Sequence, residues 1–190
     1  MSHHDRYRVG RKLPQILIVF CVLIPVASAA RSIGRQNLEV LGLTLSQNEV
    51  GDAESRLGQA PVFHSPDSHF AKRCYASGQQ NGPVLILEDW SGTLVGFQIV
   101  RPMPSDVQKC TPTPVVTNEI STGGGLKLGL TERDVVKLLG TPDKRSKNTF
   151  VDHEDVEKKG SGGLFEFTDL RIGFADSNVV SIHVVHTVRD

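Results

Sequence analysis

Residues 128–142, LGLTERDVVKLLGTP, decide the fold of this chain because they repeat the design of an earlier stretch, residues 43–61, LTLSQNEVGDAESRLGQAP. Each copy has Leu-x-Leu, a hydroxyl residue, and an acidic residue three positions later with Val beside it. Each then closes on Leu-Gly with a Pro shortly after. A hydroxyl residue with an acid three positions on is typical of a helix start, and Gly followed by Pro ends a helix. The repetition therefore predicts two short helices of common design.

Each helix is expected to begin with a capping box, in which two side chains accept each other's backbone N–H. The first box pairs Ser46 with Glu49, and the second pairs Thr131 with Asp134. Counted from the shared Val to the shared Gly, the first helix is nearly one turn longer than the second. Helices this short are unstable alone in water, so each must pack its apolar stripe on the strands that follow it.

Alternating apolar and polar residues between Gly, Asn and Ser turn signals predict the strands. They fall at 70–76, 84–88 and 93–100 after the first helix, and at 164–167, 170–174 and 179–188 after the second, with a hairpin turn at 176–178. A polar stretch at 153–163 is predicted to be an exposed loop. The acidic run at that loop is expected to be a solvated surface and comprises Asp152, Glu154, Asp155 and Glu157.

These elements predict an α+β fold of two repeated units, each a short capped helix, or two, packed on a three- to four-stranded antiparallel sheet. The boundaries follow from composition: a signal peptide at 1–29, a first α+β unit at 30–103, a Pro/Thr/Gly-rich linker at 104–125 and a second α+β unit at 126–190.

The N-terminus has the three parts of a secretion signal. Four basic residues lie in the first 12 positions, an apolar run follows at 16–26, and Ala27-Ser28-Ala29 offers a cleavage site. The apolar run is shorter than the roughly 20 residues that span a bilayer, although an uncleaved anchor is the alternative. We therefore expect a periplasmic or secreted protein with no stable membrane anchor after cleavage.

The charge of the expected mature chain, residues 30–190, argues against nucleic acid as a partner. Four of the 21 basic residues and one of the 21 acidic residues lie in the signal region, which leaves a formal charge near −3. Binding to a phosphate backbone needs a net or local positive field, and this composition does not supply it.

Two cysteines remain after the signal region, Cys74 and Cys110. In an exported protein an isolated pair most often forms a disulfide, which we predict here. The alternative is a redox-active pair, but the Cys-x-x-Cys spacing is missing. Closing this loop should stabilise the fold by roughly 3–4 kcal/mol through chain entropy.

The run GLTERDVVKLLGTP, residues 129–142, resembles the signature of the small outer-membrane-assembly lipoproteins of the SmpA/OmlA type. It is also similar to the β-lactamase-inhibitor proteins, which carry that unit in tandem. The likeness covers residues 126–185 and, more loosely, 41–100. It implies helices on one face of an antiparallel sheet and a non-catalytic, protein-binding role. The tandem arrangement favours the inhibitor-like architecture.

Two features are candidate binding sites. His64-x-x-Asp67-x-His69 places three potential metal ligands within six residues, and the alternative is a polar loop with ordinary histidines. Trp90, the only tryptophan, lies in a predicted hairpin connection, where an exposed ring would anchor a protein interaction. The alternative is that Trp90 folds back over the sheet edge as core.

The sequence has no Gly-x-Ser-x-Gly elbow and no phosphate-loop motif, so no catalytic residue and no cofactor are predicted. The polar-loop interpretation of the His64/Asp67/His69 stretch is preferred, so no metal site is predicted either. We therefore expect a non-enzymatic protein-interaction module of the bacterial cell envelope, either an inhibitor or an assembly factor, whose partner is an envelope or extracellular protein. The alternative is a periplasmic protein that binds a small ligand or a metal through the His64/Asp67/His69 loop.

Overall fold

The computed structural model of this 190-residue chain describes residues 33–65, 68–105, 109–158 and 164–189. The expected signal peptide at 1–29, Asp67 of the metal candidate and the tip of the predicted loop, 159–163, lie outside the described residues.

The described residues form two α-helices, one short 3-10 helix at Arg35–Leu38 and eleven strands. The helices are α1 (Val50–Leu57) and α2 (Glu132–Leu139). The strands are β1 (Glu39–Val40), β2 (Leu43–Thr44), β3 (Val62–His64), β4 (Ala71–Ser77), β5 (Val84–Trp90), β6 (Thr93–Val100), β7 (Thr111–Thr113), β8 (Lys144–Ser146), β9 (Thr149–Lys158), β10 (Leu164–Ala175) and β11 (Asn178–Arg189). The predicted α+β class is confirmed.

Nine of the described strands form one large sheet, and β1 and β2 form a separate ribbon. The sheet order is β3-β4-β5-β6-β11-β10-β9-β8, with all neighbours antiparallel, while β7 lies parallel to β4. Two meanders, β3–β6 and β8–β11, therefore meet at their last strands. The seam between them runs from Val100 opposite Ser181 to Gly96 opposite Val185.

Both helices pack on the same face of this sheet, which we call the core face. Ala53 and Leu57 of α1 and Val135 of α2 are buried in one hydrophobic cluster with the inward side chains of the sheet. Those sheet side chains are Tyr75, Leu85, Leu87, Leu94, Phe97, Ile99, Phe150, Leu170, Ile172, Phe174, Val179, Ile182 and Val184. The opposite face, which we call the open face, carries neither helix.

The predicted start of α2 is confirmed. Thr131 Oγ1 accepts the N–H of Asp134 at 3.2 Å, and the Asp134 carboxylate accepts the N–H of Thr131 at 3.4 Å. The helix ends at Gly140, whose φ of 86° and ψ of −162° lie in a region that is nearly restricted to glycine.

The predicted start of α1 is wrong by three residues. Glu49, not Ser46, is the cap, and its box partner is Asp52. Ser46 adopts a φ of 60° and donates its hydroxyl to the carbonyl of His186 at 3.1 Å. The cause is a tertiary contact: residues 46–48 hydrogen-bond to Leu94 of β6 before the helix begins. Both helices consequently have eight residues, and the expected difference of one turn disappears.

Two strand predictions are also corrected. The predicted strands 164–167 and 170–174 are one continuous strand, β10. The predicted loop at 153–163 is wrong for its first part, since β9 extends to Lys158 and pairs with β10 along its whole length. A polar sequence forms a strand here because β10 supplies the pairing. The hairpin turn at 176–178 is confirmed, with positive φ at Asp176 and Ser177 as tight hairpin turns require.

The predicted disulfide is confirmed: Cys74 of β4 is bonded to Cys110, with their Cα atoms 4.5 Å apart. Cys74 is buried on the open-face side in a small second cluster with Val84 and Ile86.

Within the predicted linker at 104–125, Val116 and Ile120 are buried in the main core. In the parts of the chain that the structure describes, no helix has the length and apolar character needed to cross a membrane.

Candidate functional site

The open face contains a groove of about 890 Å³. The groove is formed mainly by β10 and β11, with Phe70 beside β4 on one side and Asp155 of β9 on the other. Alternation along a strand sends neighbouring side chains to opposite faces, so the residues of β10 and β11 that line the groove are those between the core positions. They include Phe165, Phe167, Asp169, Arg171, His183, Val185, Thr187 and Arg189.

Aromatic side chains lie exposed at one end of this face. Phe165 is 53% exposed, and Phe167 is also exposed, with its ring 4.8 Å from the ring of His153 in an edge-on arrangement. Exposing aromatic rings to water is unfavourable, and a cluster of them on a folded surface is typical of a contact surface.

Trp90 belongs to the same aromatic group. It ends β5 at the β5–β6 hairpin and is 53% exposed, so it is not a core residue. The ring of Phe70 lies 6.2 Å from the Trp90 ring, and the guanidinium of Arg189 lies 5.9 Å from the ring centroid. A cation at this distance from an aromatic face is held by the ring's quadrupole.

A charged network lies at the centre of the open face, around Glu88 of β5. Its carboxylate is 3.0 Å from Lys72 Nζ and 3.3 Å from His183 Nε2, and it accepts a hydrogen bond from Gln98 at 2.7 Å. Burial alone would raise the pKa of Glu88, which is 2% exposed. The hydrogen bond and the charge of His183, together with those of Lys72, outweigh burial and lower this pKa to about 2.

The acidic run does not form one cluster. Asp152 is buried and accepts the N–H of Asp143 at 2.9 Å. Glu154 accepts the N–H of Ile33 at 3.0 Å and lines a separate cavity of about 450 Å³ on the core-face side. Asp155 lies at the open-face groove. The alternation of β9 therefore distributes these carboxylates between the two faces.

The structure does not bring the described members of the metal candidate, His64 and His69, into a common site. His64 lies in β3 and His69 precedes β4, and both side chains are exposed. Among the described residues, no group of three or more His, Cys, Asp or Glu side chains lies close enough to hold a metal ion. Because Asp67 is outside the described residues, the metal hypothesis stays a prediction.

Sequence reasoning identified Trp90 but missed Phe165, Phe167 and Arg189. A signal was available in the sequence of β10, LFEFTDLRIGFA. Between Leu164 and Ala175 at its ends, the apolar residues occupy positions 165 and 167 and then 170, 172 and 174, so the apolar side of the strand changes face in the middle. Dividing the stretch into two strands concealed this change.

Comparison with known proteins found no match to any protein-family model, to any curated protein or to any solved structure.

Proposed function

We propose that this chain is an exported, non-enzymatic protein-binding module of the bacterial cell envelope and that it holds its partner on the open face of the sheet. One observation carries the proposal: the exposed rings of Phe165 and Phe167 line the groove, and the exposed ring of Trp90 lies beside Phe70 and Arg189 at its edge, on a face that carries neither helix. Trp and Arg are the residues that most often dominate the binding energy of protein interfaces.

The rigidity of this face supports the same function. The groove is built on paired strands, and the contacts of Glu88 with Lys72 and His183 hold β4, β5 and β11 of the same face together. A preformed surface loses little conformational entropy on binding, so more of the contact energy contributes to affinity. A binding surface on strands is also positioned more firmly than one on loops.

The export of the protein is part of the proposal. The disulfide between Cys74 and Cys110 supports it, because such bonds persist in oxidising compartments and are rare in the cytosol. The expected partner is therefore an envelope or extracellular protein.

We also propose that the two halves are copies of one unit. In each half an eight-residue helix precedes four antiparallel strands, and the two sets of strands meet at their last members. The caps of the two helices contact equivalent places: Glu49 bridges to Thr93 and Thr131 bridges to Asn178, each the first residue of a last strand. In each half the next residue also donates its N–H to the hairpin turn before that strand, at 2.8 Å and 3.2 Å.

This correspondence supports the tandem architecture that the resemblance to the β-lactamase-inhibitor proteins implies. In this correspondence Glu49 of the first half is equivalent to Thr131 of the second, and the buried Ala53 is equivalent to the buried Val135. Of the two forms of the function, an inhibitor and an assembly factor, the tandem architecture favours the inhibitor.

The test is competitive cross-linking in envelope extracts of the source organism. Tagged wild-type chain is cross-linked, and the products are identified by mass spectrometry in the presence of excess untagged competitor. We expect one dominant cross-linked product. Excess untagged wild-type chain or untagged Leu138→Ala variant should abolish this product, and excess untagged Phe165→Ala variant should leave it in place. Leu138 is a matched control because it is 45% exposed on α2, away from the open face. Equal competition by both variants would contradict binding at the groove.

A further inference from the structure

The charges on the open face are almost all compensated within the face itself. The Glu88 carboxylate is paired with Lys72 Nζ and lies 3.3 Å from His183 Nε2, and the guanidinium of Arg171 donates to the Asp169 carboxylate at 2.8 and 2.9 Å. The carboxylate of Asp155 lies 3.1 Å from a ring nitrogen of His153.

Arg189 is the exception. Within the described parts of the chain, its guanidinium lies within 4 Å of no carboxylate, and it faces the Trp90 ring instead. An exposed Arg would ordinarily be of little interest. Here its cross-strand neighbour on β10 is Phe165, so exposed aromatic rings flank it on both sides.

This arrangement prepares Arg189 to bind an anion. The cation–π contact with Trp90, at 5.9 Å, restricts the guanidinium, so less entropy is lost when it forms hydrogen bonds. Its planar donors match the two oxygens of a carboxylate. Partner atoms on either side of that carboxylate would then contact Trp90 on one side and Phe165 on the other.

We infer that Arg189, between Trp90 and Phe165, is the binding site for an acidic side chain of the protein partner, a Glu or Asp flanked on both sides by apolar residues. The inference rests on the proposed function and adds the chemistry of the partner. Flanking on both sides favours a side chain within a segment over the carboxylate at a chain end.

Trp90 makes a direct test possible, because it is the only tryptophan and its fluorescence reports on this site alone. Three peptides serve as probes for the purified chain at low ionic strength. Ac-Leu-Glu-Leu-NH2 carries a side-chain carboxylate, Ac-Leu-Gln-Leu-OH carries only a terminal one, and Ac-Leu-Gln-Leu-NH2 carries none.

We expect a saturable fluorescence change with the Glu peptide, at a dissociation constant at least about fivefold below those of both Gln peptides. The Arg189→Gln variant should lose this preference. The Arg133→Gln variant removes the same charge from an exposed position of α2 and should retain it. Far-ultraviolet circular dichroism checks that both variants are folded.

Three results would overturn the inference: no saturation by the Glu peptide up to about 10 mM, a preference that survives Arg189→Gln, or tighter binding of the peptide with the free terminus. Failure of the inference is distinguishable from failure of the proposed function. Suppose that the peptide test fails but cross-linking still captures a partner that excess Phe165→Ala variant does not displace. Then the open face does bind a protein, and only the recognition of an acidic side chain by Arg189 is wrong.

Discussion

Gly96 of β6 lies directly beneath the side chain of Glu88 of β5. A Cβ at position 96 would stand 2.9 Å from Glu88 Oε2 and 3.1 Å from the carbonyl oxygen of Val184. The missing side chain is therefore what lets the buried carboxylate lie across the neighbouring strand and reach His183 of β11. The charged network of the open face depends on this glycine.

Gly96→Ala should destabilise the protein by about 1–3 kcal/mol, because the methyl group must displace the carboxylate, and the carbonyl of the adjacent strand cannot move away easily. Urea unfolding measures the change. Gly51→Ala is the matched control: position 51 lies in α1, where an added Cβ meets nothing within 4 Å. That control should be neutral or stabilising by about 0.5–1 kcal/mol. Equal effects at the two positions would show that the contact at Gly96 carries no energy.

Glu88 should make the stability of the fold depend on pH in the acid range. Its pKa is about 2 in the folded protein and 4.5 as an ordinary Glu, so the ionised carboxylate stabilises the fold at every pH above 4.5. This contribution, roughly 3 kcal/mol, should be lost as the pH falls from 4.5 to about 2. Urea unfolding at intervals of pH measures it.

The control for this prediction is Glu88→Gln. The variant should be less stable than wild type at neutral pH, because Lys72 loses its buried counter-ion. Between pH 4.5 and 2 the difference between the two proteins should shrink. A difference that stays constant over this window would mean that Glu88 does not titrate as described.

Reduction of the disulfide should lower the free energy of unfolding by roughly 4 kcal/mol, since the bond closes a loop between residues 36 positions apart. The Cys74→Ala/Cys110→Ala variant, compared with oxidised and reduced wild type, measures the effect. The variant should match reduced wild type and should not respond to a reductant. If oxidised wild type is no more stable than the variant, the bond does not stabilise the fold.

The cap of α2 should contribute about 1 kcal/mol, which Thr131→Ala removes because the N–H of Asp134 loses its acceptor. Arg133→Ala is a suitable control, since Arg and Ala have similar helix propensities and this side chain is exposed. Thermal unfolding compares the two. Indistinguishable melting temperatures would contradict the assigned cap.

The ends of helices and strands could be predicted from the sequence only where nearby residues determine them. The start of α2 was predictable because Thr131 and Asp134 satisfy each other within one turn. The start of α1 was not, because the choice between Ser46 and Glu49 is made by hydrogen bonds to Leu94, which is 48 positions from Ser46. The end of β9 was missed for the same reason: its polar residues form a strand only because β10 lies beside them.

The candidate site was harder to predict than the fold. Trp90 could be singled out from the sequence as the only tryptophan, in a predicted hairpin, but its neighbours on the open face are set by the seam between β6 and β11. That seam places Arg189 beside Trp90, although the two residues are 99 positions apart in the chain. No local pattern contains this information.

Site-specific photo-cross-linking measures whether the open face of the sheet binds a protein. A photoreactive phenylalanine analogue, which keeps the aromatic ring, replaces Phe165 on the open face in one sample and Leu138 on α2 in the other, and each chain is irradiated in envelope extract of its own organism. We expect one dominant cross-linked protein from position 165, absent from position 138 and displaced by excess unlabelled chain. The same products from both positions, or none from position 165, would contradict the proposal that the open face binds a protein.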